Sequence, residues 1–210
     1  LSLNYFEKLT RKKLKTGLFG VGNFFLPSDE KNKIAAEKFV DTVLLNFELK
    51  VVLKRDLPVN ENCLTKIQRA SQLPIKQWIF LSEIERTEKE FASAIYNALL
   101  GIEKKAFSLT SLEGLYPLSM SSKMQVFKGR LNSNEIIPFF KDLSDPEHKV
   151  KILYFHTRFS TNTKPQPAMA QPFHLIAHNG ELNTDKKNRI SENAIAQTKK
   201  RSVVSPFGQS

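Results

Sequence analysis

The chain predicts an α+β protein in which sheets are covered by helices, and three observations carry that expectation. In the first half, β-rich apolar runs alternate with segments of helical periodicity. Between residues 106 and 128, short strand candidates follow one another across Ser-rich turns. Two later strand-like runs, 150–158 and 173–178, end at an arginine and at an Asn-Gly pair respectively.

The elements follow in order. Gly17–Leu26 is apolar and closed by Pro27, which reads as a buried strand. Its glycines, Gly17, Gly20 and Gly22, lack the spacing of a phosphate loop, and no Lys-Ser/Thr follows them. Ser28-Asp29-Glu30 caps a helix running to about Asn46, with Ile34, Phe39, Val40, Val43 and Leu44 on its apolar side. Glu48–Arg55 is the next strand. Asp56–Ser71 is a loop with a short helix near Leu64–Ala70, and Ile75–Leu81 is again a strand. Thr87–Lys104 places Phe91, Ile95, Leu99 and Ile102 at helical spacing. Ala106–Ser111, Leu115–Met120 and Met124–Lys128 suggest a meander. Asn134–Leu143 reads as a short helix capped by Asn132, Ser133 or Asn134. Ile190–Thr198 is the last helical stretch, and no repeat or low-complexity linker interrupts the 210 residues, which are expected to form one domain, 1–210.

Composition narrows the function classes. Hydrophobic residues make up 40% and charged residues 25%, enough for a core and unlike a disordered chain. No apolar run reaches the length of a membrane span, and the start, with Glu7 and no long apolar stretch, is not a signal peptide. A lone cysteine, Cys63, permits no internal disulfide, which fits a cytoplasmic location. The net charge of +11 invites a nucleic-acid reading, but the lysines and arginines are spread among acids and no aromatic ladder accompanies them. No nucleic-acid partner and no membrane are expected.

The chemistry gathers in the two late strands. Period-2 alternation puts Ile152, Tyr154, His156 and Arg158 on one face. A guanidinium at a strand end is placed to fork a carboxylate with two parallel hydrogen bonds, and Thr161 adds a hydroxyl just beyond. The second run leads into Asn179-Gly180. That pair has an ordinary reading as a tight turn in which Gly supplies positive φ. It has a functional one as two donors, the Asn179 amide and the Gly180 N–H, converging on the oxyanion of a tetrahedral intermediate. His156, His174 and His178 lack the constellation of a zinc site, with Glu181 only a loose fourth candidate.

His156–Thr163 (His-Thr-Arg-Phe-Ser-Thr-Asn-Thr), Ala170–Phe173 (Ala-Gln-Pro-Phe) and Ala177–Thr184 (Ala-His-Asn-Gly-Glu-Leu-Asn-Thr) closely resemble the class II glutamine amidotransferase domain of glutamate synthase large subunits. Weaker likeness in Gly20–Pro27, Asp56–Asn60, Ala70–Pro74, Ser108–Ser111, Ser119–Ser122 and Val126–Gly129 extends it over almost the whole chain. The resemblance implies an N-terminal-nucleophile (Ntn) hydrolase-like four-layer αββα sandwich, here incomplete at both ends. It implies a glutaminase that supplies ammonia for glutamate synthesis from L-glutamine and 2-oxoglutarate. FMN and an iron–sulfur cluster are implied for the full-length enzyme and none for this chain. The implied partners are L-glutamine, a synthase region of the same long chain and a small NAD(P)H-dependent subunit. Carried over residue by residue, Arg158 resembles the arginine that grips the substrate α-carboxylate, Thr161 its glutamine-contacting neighbour, and Asn179 and Gly180 the oxyanion pair.

Three departures from the family bear on activity. The family attacks with a cysteine at its mature N-terminus, and residue 1 here is leucine. Cys63 is internal, in Asn60-Glu61-Asn62-Cys63-Leu64, where no free α-amine serves it as a base; Ser2 has nothing matching around it. Asp185 stands in the wrong context for the acid that binds the substrate amine, and Lys186-Lys187 replaces the small residues expected before Asn188. The expectation is therefore a glutaminase domain whose isolated chain is inactive, or alternatively a degenerate, non-catalytic binding or partner-interaction module.

Overall fold

The computed structural model describes residues 1–156 and, further on, 190–191, 194–195 and 197–198. Their order is α1 (Leu3–Thr10), β1 (Phe19–Phe25), α2 (Glu30–Asn46), β2 (Leu49–Asp56), α3 (Lys66–Ala70), β3 (Ile75–Ser82), α4 (Glu88–Ser108), β4 (Tyr116–Ser121) and α5 (Ile136–Phe139), with 3-10 turns at Glu61–Cys63, Thr110–Leu112 and Lys141–Ser144. The four strands form one antiparallel sheet in the order β2-β3-β1-β4. The fold class is α+β. The described residues contain this one sheet, and no second sheet is found among them.

Local chemistry explains the elements. All seven residues of β1 are buried, as its unbroken apolar run requires. Asp29 caps α2 by accepting from the Asn32 N–H at 2.9 Å. Thr87 and Glu90 form a reciprocal capping box at the start of α4, and Thr65 and Gln68 form another on α3. The left-handed turn between α2 and β2 falls on Glu48 (φ 56), a residue with a side chain where glycine is usual. Arg86 holds it there, donating to the Glu48 carboxylate at 2.6 Å and to the Phe47 carbonyl at 3.2 Å. That turn is why β2 begins at Leu49 and not at Glu48.

One sheet face packs on the helices. Phe24, Trp78, Phe80 and Leu49 meet Ala36, Val40, Val43 and Leu44 of α2, and Phe91, Ile95, Leu99 and Ile102 of α4. Each such fully buried side chain contributes about 1.5–3 kcal/mol. An electrostatic seam closes the α2 side. The Trp78 indole N–H donates to Asp41 at 2.7 Å, and Lys54 sits 2.9 Å from Asp41 and 3.1 Å from Glu37. The opposite face is split. Phe19, Val21 and Ile79 pack under Tyr5 and Phe6 of α1, while Phe25, Ile75, Tyr116 and Leu118 pack with Phe139, Phe140 and Val126.

Several expectations need correction. α1 was not expected; it forms because Tyr5 and Phe6 find an apolar sheet end to cover. Ile34 does not join the core but is 62% exposed, and Ala36 takes the buried place instead. Ala106–Ser111 is not a strand: Ile102 and Ala106, four apart, stay buried on the same helical side, so α4 runs to Ser108. Met124–Lys128 is not a strand either, and there is no meander. Its Val126 N–H and carbonyl are taken by side chains of the sheet, the Ser119 hydroxyl and the Asn23 amide, each at 3.0 Å, so no ladder forms. The helix expected over 134–143 shrinks to Ile136–Phe139, because Phe140 turns away to bridge Val59. Glu135 occupies its cap position. The described residues of the 190–198 stretch are helical, as expected.

Gly20 faces the helical layer, and a Cβ there would overlap the ring of Phe80, itself fully buried. Gly20→Ala is expected to destabilise the chain by about 1–3 kcal/mol, the usual cost of overpacking. Urea denaturation checks this; an unchanged midpoint would mean that Phe80 gives way freely.

Candidate functional site

The four residues singled out from sequence, Arg158, Thr161, Asn179 and Gly180, lie outside the described residues, as do His174, His178, Glu181 and Asp185. Their approach from the N-terminal side is described as far as His156. The strand expected over 150–158 is not formed in its described part. Ile152, Leu153, Tyr154 and Phe155 are 70, 73, 66 and 55% exposed, so the alternation does not sort them into inner and outer faces. Alternation is only a preference; a strand exists when another backbone takes its N–H and C=O groups, and no described residue does so here.

What the structure does assemble is a polar row across the middle of the sheet. Arg55 on β2 stands opposite Gln77 on β3, Gln77 opposite Asn23 on β1, and Asn23 opposite Ser119 on β4. A bulge in β4 beside the Asn23 pairing leaves Leu118 unpaired, and so lets Leu118 and Ser119 serve the same face. Asn23 and Gln77 are fully buried and Ser119 is 1% exposed. Such groups are tolerated only when satisfied. The Arg55 Nε–H donates to Gln77 Oε1 at 2.9 Å, and Gln77 Nε2 donates to Asn23 Oδ1 at 2.9 Å and to Gln125 Oε1 at 3.2 Å. Asn23 and Ser119 then hold Val126 from below.

The charge at the end of the row is balanced from the opposite side. The Arg55 guanidinium forks the Asp142 carboxylate with both terminal nitrogens, one contact at 3.2 Å, and also donates to the Tyr5 hydroxyl at 3.3 Å. Burial is the main reason the Tyr5 phenol is pushed up to about 12; the Arg55 charge opposes the shift and Asp142 adds to it. His148 completes the group, stacked on Tyr5 with ring centroids 4.4 Å apart.

Two further side chains bear on chemistry. Lys128 is 5% exposed, with Nζ 5.6 Å from the centre of the Tyr116 ring, and burial pushes its ammonium down to about 8. Cys63 is half-buried in a 3-10 turn, where its thiol donates to the Asn60 carbonyl at 3.0 Å. That is the setting of a packed thiol, with no base bonded to it among the described residues. Among the described residues no group of three or more His, Cys, Asp or Glu side chains could hold a metal ion. No described helix is long and apolar enough to cross a membrane. Sequence reasoning missed the polar row and Lys128. The available signal was a polar residue interrupting an apolar strand, Asn23 in Gly-Val-Gly-Asn-Phe-Phe and Gln77 in Ile-Lys-Gln-Trp-Ile-Phe.

Comparisons with known proteins add to this geometry. A family model described as glutamine amidotransferases class-II matches residues 3–207. The chain is 32% identical over 169 residues to a chloroplastic ferredoxin-dependent glutamate synthase of Oryza sativa subsp. japonica, covering 80% of this chain and 10% of that protein. It is 31% identical over 179 residues to the glutamate synthase [NADH] of Saccharomyces cerevisiae, covering 82% of this chain and 8% of that protein. It is 31% identical over 169 residues to the glutamate synthase [NADPH] large chain of Azospirillum brasilense, covering 80% and 11%. The chain thus spans about a tenth of the length of these relatives.

Removing one partner of the Arg55–Asp142 pair leaves a buried charge alone. Arg55→Ala is expected to cost about 3–5 kcal/mol, and the double replacement Arg55→Met with Asp142→Leu much less. Chemical denaturation of the two variants decides it; equal losses would mean that the pair is not the buried charge balance described above.

Proposed function

The chain belongs to the class-II glutamine amidotransferases, and from that membership we propose that residues 1–210 form one domain, the glutamine-hydrolysing part of a glutamate synthase. The observation that carries the reading is the family match over residues 3–207, together with the ordered run His156–Thr163, Ala170–Phe173, Ala177–Thr184 inside it. In this reading Arg158 forks the α-carboxylate of L-glutamine and Thr161 adds a hydroxyl contact. Asn179 and Gly180 donate to the oxygen that turns anionic when the side-chain amide is attacked. The reaction consumes glutamine and water and yields glutamate and ammonia. The thiol gives its proton to a base as its sulfur bonds to the amide carbon. The C–N bond then breaks as the nitrogen takes up that proton and leaves as ammonia, and water cleaves the thioester to glutamate, restoring the thiol.

The attacking thiolate is the group this sequence does not identify. Its one cysteine is Cys63, whose thiol is spent on Asn60. A polypeptide of these 210 residues is therefore proposed to bind glutamine without turning it over. The passing of ammonia to 2-oxoglutarate for nitrogen assimilation, and a partnership with a synthase region or an NAD(P)H-dependent subunit, belong in this reading to a longer protein. The residues here do not fit the groups such a region needs. One cysteine cannot ligate an iron–sulfur cluster. Gly20 and Gly22 lie inside the buried β1, away from any phosphate-cradling turn. A lone free thiol suits a reducing compartment, and a cytoplasmic location is our reading of it.

The same family membership admits a second reading, a non-catalytic module that keeps the glutamine-binding frame; the engaged thiol of Cys63 favours it for the isolated chain. Assay separates the two. At about 10 mM glutamine, well above common KM values, the 210-residue chain is expected to release no more ammonia than its Cys63→Ala variant. A chain extended to begin with cysteine is expected to release ammonia. In that enzyme Asn179→Ala should lower kcat by about 10²–10³-fold with KM little changed, and Arg158→Ala should chiefly raise KM. An extended chain that binds glutamine but never turns it over would favour the second reading.

A further inference from the structure

The polar row continues into a closed circuit in which Arg55 donates in both directions, to Gln77 on one side and to the Asp142 carboxylate on the other. Arg55 Nε–H donates to Gln77 Oε1, Gln77 Nε2–H to Gln125 Oε1, and Gln125 Nε2 lies 3.0 Å from His148 Nε2. His148 Nδ1 lies 2.9 Å from the Asp142 carbonyl, and the Asp142 carboxylate returns to Arg55. Both ends of this circuit admit only one direction. A guanidinium has no acceptor, so Gln77 must turn its oxygen to Arg55, and its NH2 then faces Gln125. Gln125 must answer with its oxygen, which leaves its NH2 against His148 Nε2. A carbonyl has no donor, so His148 must carry its proton on Nδ1. The neutral Nδ1–H tautomer is the one form of His148 that satisfies every neighbour.

We propose that His148 is a proton-operated latch, which holds the strap of residues 143–149, just past the Arg55–Asp142 pair, against α1 and the sheet while neutral and releases it when Nε2 gains a proton. A proton on Nε2 sets two donors face to face. Gln125 cannot relieve the clash by flipping, because its NH2 would then oppose that of Gln77, whose orientation Arg55 dictates. The strap's N-terminal end is fixed by the Asp142–Arg55 pair, by Leu143 against the apolar cluster and by the Ser144 hydroxyl donating to the Ile137 carbonyl at 2.9 Å. Beyond that, the hydrogen bonds are Ser2 to the Glu147 carbonyl at 2.6 Å and three short turns, the Glu147 N–H to the Asp145 carboxylate at 2.8 Å and the His148 N–H to Asp145 O and Lys149 N–H to Glu147 O at 2.9 Å each. The strap runs directly into residues 150–156.

The groups around the ring support a neutral imidazole. Tyr5 and Phe6 face it from α1, and Phe127 and the uncharged Gln125 from the segment over the sheet. Arg55 opposes a positive charge from β2, while Asp142 just before the strap and Asp145 on it favour one. Burial outweighs both acids and lowers the His148 pKa from 6.5. The sign follows: with the folded value below the unfolded one, the strap's stability is whole above 6.5 and is lost as pH falls below it toward the folded value.

The test is a nitrogen-detected histidine NMR titration of the full 210-residue chain, with amide hydrogen exchange over residues 143–149. The wild type is expected to show the Nδ1–H tautomer at neutral pH and to titrate below 6.5, with strap exchange, corrected for its intrinsic pH dependence, quickening as His148 gains its proton. Gln125→Glu keeps an acceptor for Gln77 and sets a second carboxylate oxygen opposite Nε2. It should raise the His148 pKa by about one unit or more and keep the strap protected below pH 6.5. An Nε2–H tautomer, a wild-type titration at or above 6.5, or strap exchange indifferent to the titration would overturn the latch. So would a folded Gln125→Glu variant with an unmoved His148. Should that variant fail to fold, the wild-type tautomer and titration decide alone.

Discussion

The buried charge pair of Arg55 and Asp142 is the constraint on which the non-helical face of the sheet depends. Arg55 brings five donors and no acceptor into a site that is mostly closed to water. Every polar atom near it must then orient to suit: Gln77 first, next Asn23 and Gln125, then Val126 and His148. The row divides that face into two apolar clusters, one beneath α1 and one beneath the 124–140 segment. Without it the two clusters would merge, and the loops above them could slide over a uniform greasy surface. A buried pair of this kind adds little net stability, because desolvation offsets the Coulomb gain. Its effect here is on register: it specifies which residue of each covering segment sits over which strand.

The opposite face works by another principle. α2 and α4 pack on Phe24, Trp78 and Phe80 with little polar content, and the aromatic–aliphatic fit positions the helices. Apart from Glu103, which is buried on α4, charges sit at the rim, where Lys54 and Lys76 reach Glu37, Asp41 and Asp56. One sheet thus carries a layer held by shape and, on its reverse, a layer held by directional bonds. A methylene added to the first is felt as strain, whereas a single proton is enough to disturb the second.

Legibility in the sequence followed the range of the forces involved. β1, α2, β3 and α4 were readable because apolar periodicity and capping residues act within a few positions of one another; Thr87 with Glu90 is such a pair. Ala106–Ser111 and Met124–Lys128 misled for the complementary reason. Both have strand-forming residues, but one is claimed by a helix whose buried side continues through Ala106, and the other by two side chains, Ser119 and Asn23, distant in sequence. α1 was overlooked because eight residues make a marginal helix alone, and only the sheet beneath Tyr5 and Phe6 gives it a reason to form. The candidate site had the opposite balance. Its family was legible from the run His156–Thr184, while the described structure reaches only the first of those residues.

By itself the sequence determined the α+β class and the family, and it is the basis of the roles proposed for Arg158, Thr161, Asn179 and Gly180. Those properties rest on residue identity and on spacing along the chain. Only the tertiary structure decided that Arg55, Gln77, Asn23 and Ser119 form one row, that Gln125 and His148 close it, and that Cys63 is occupied by Asn60. The physical reason is that a buried hydrogen bond is chosen by whatever partner lies within about 3 Å when water is excluded. Strand order brings together residues as far apart as 23 and 126, and nothing in local propensity records that meeting.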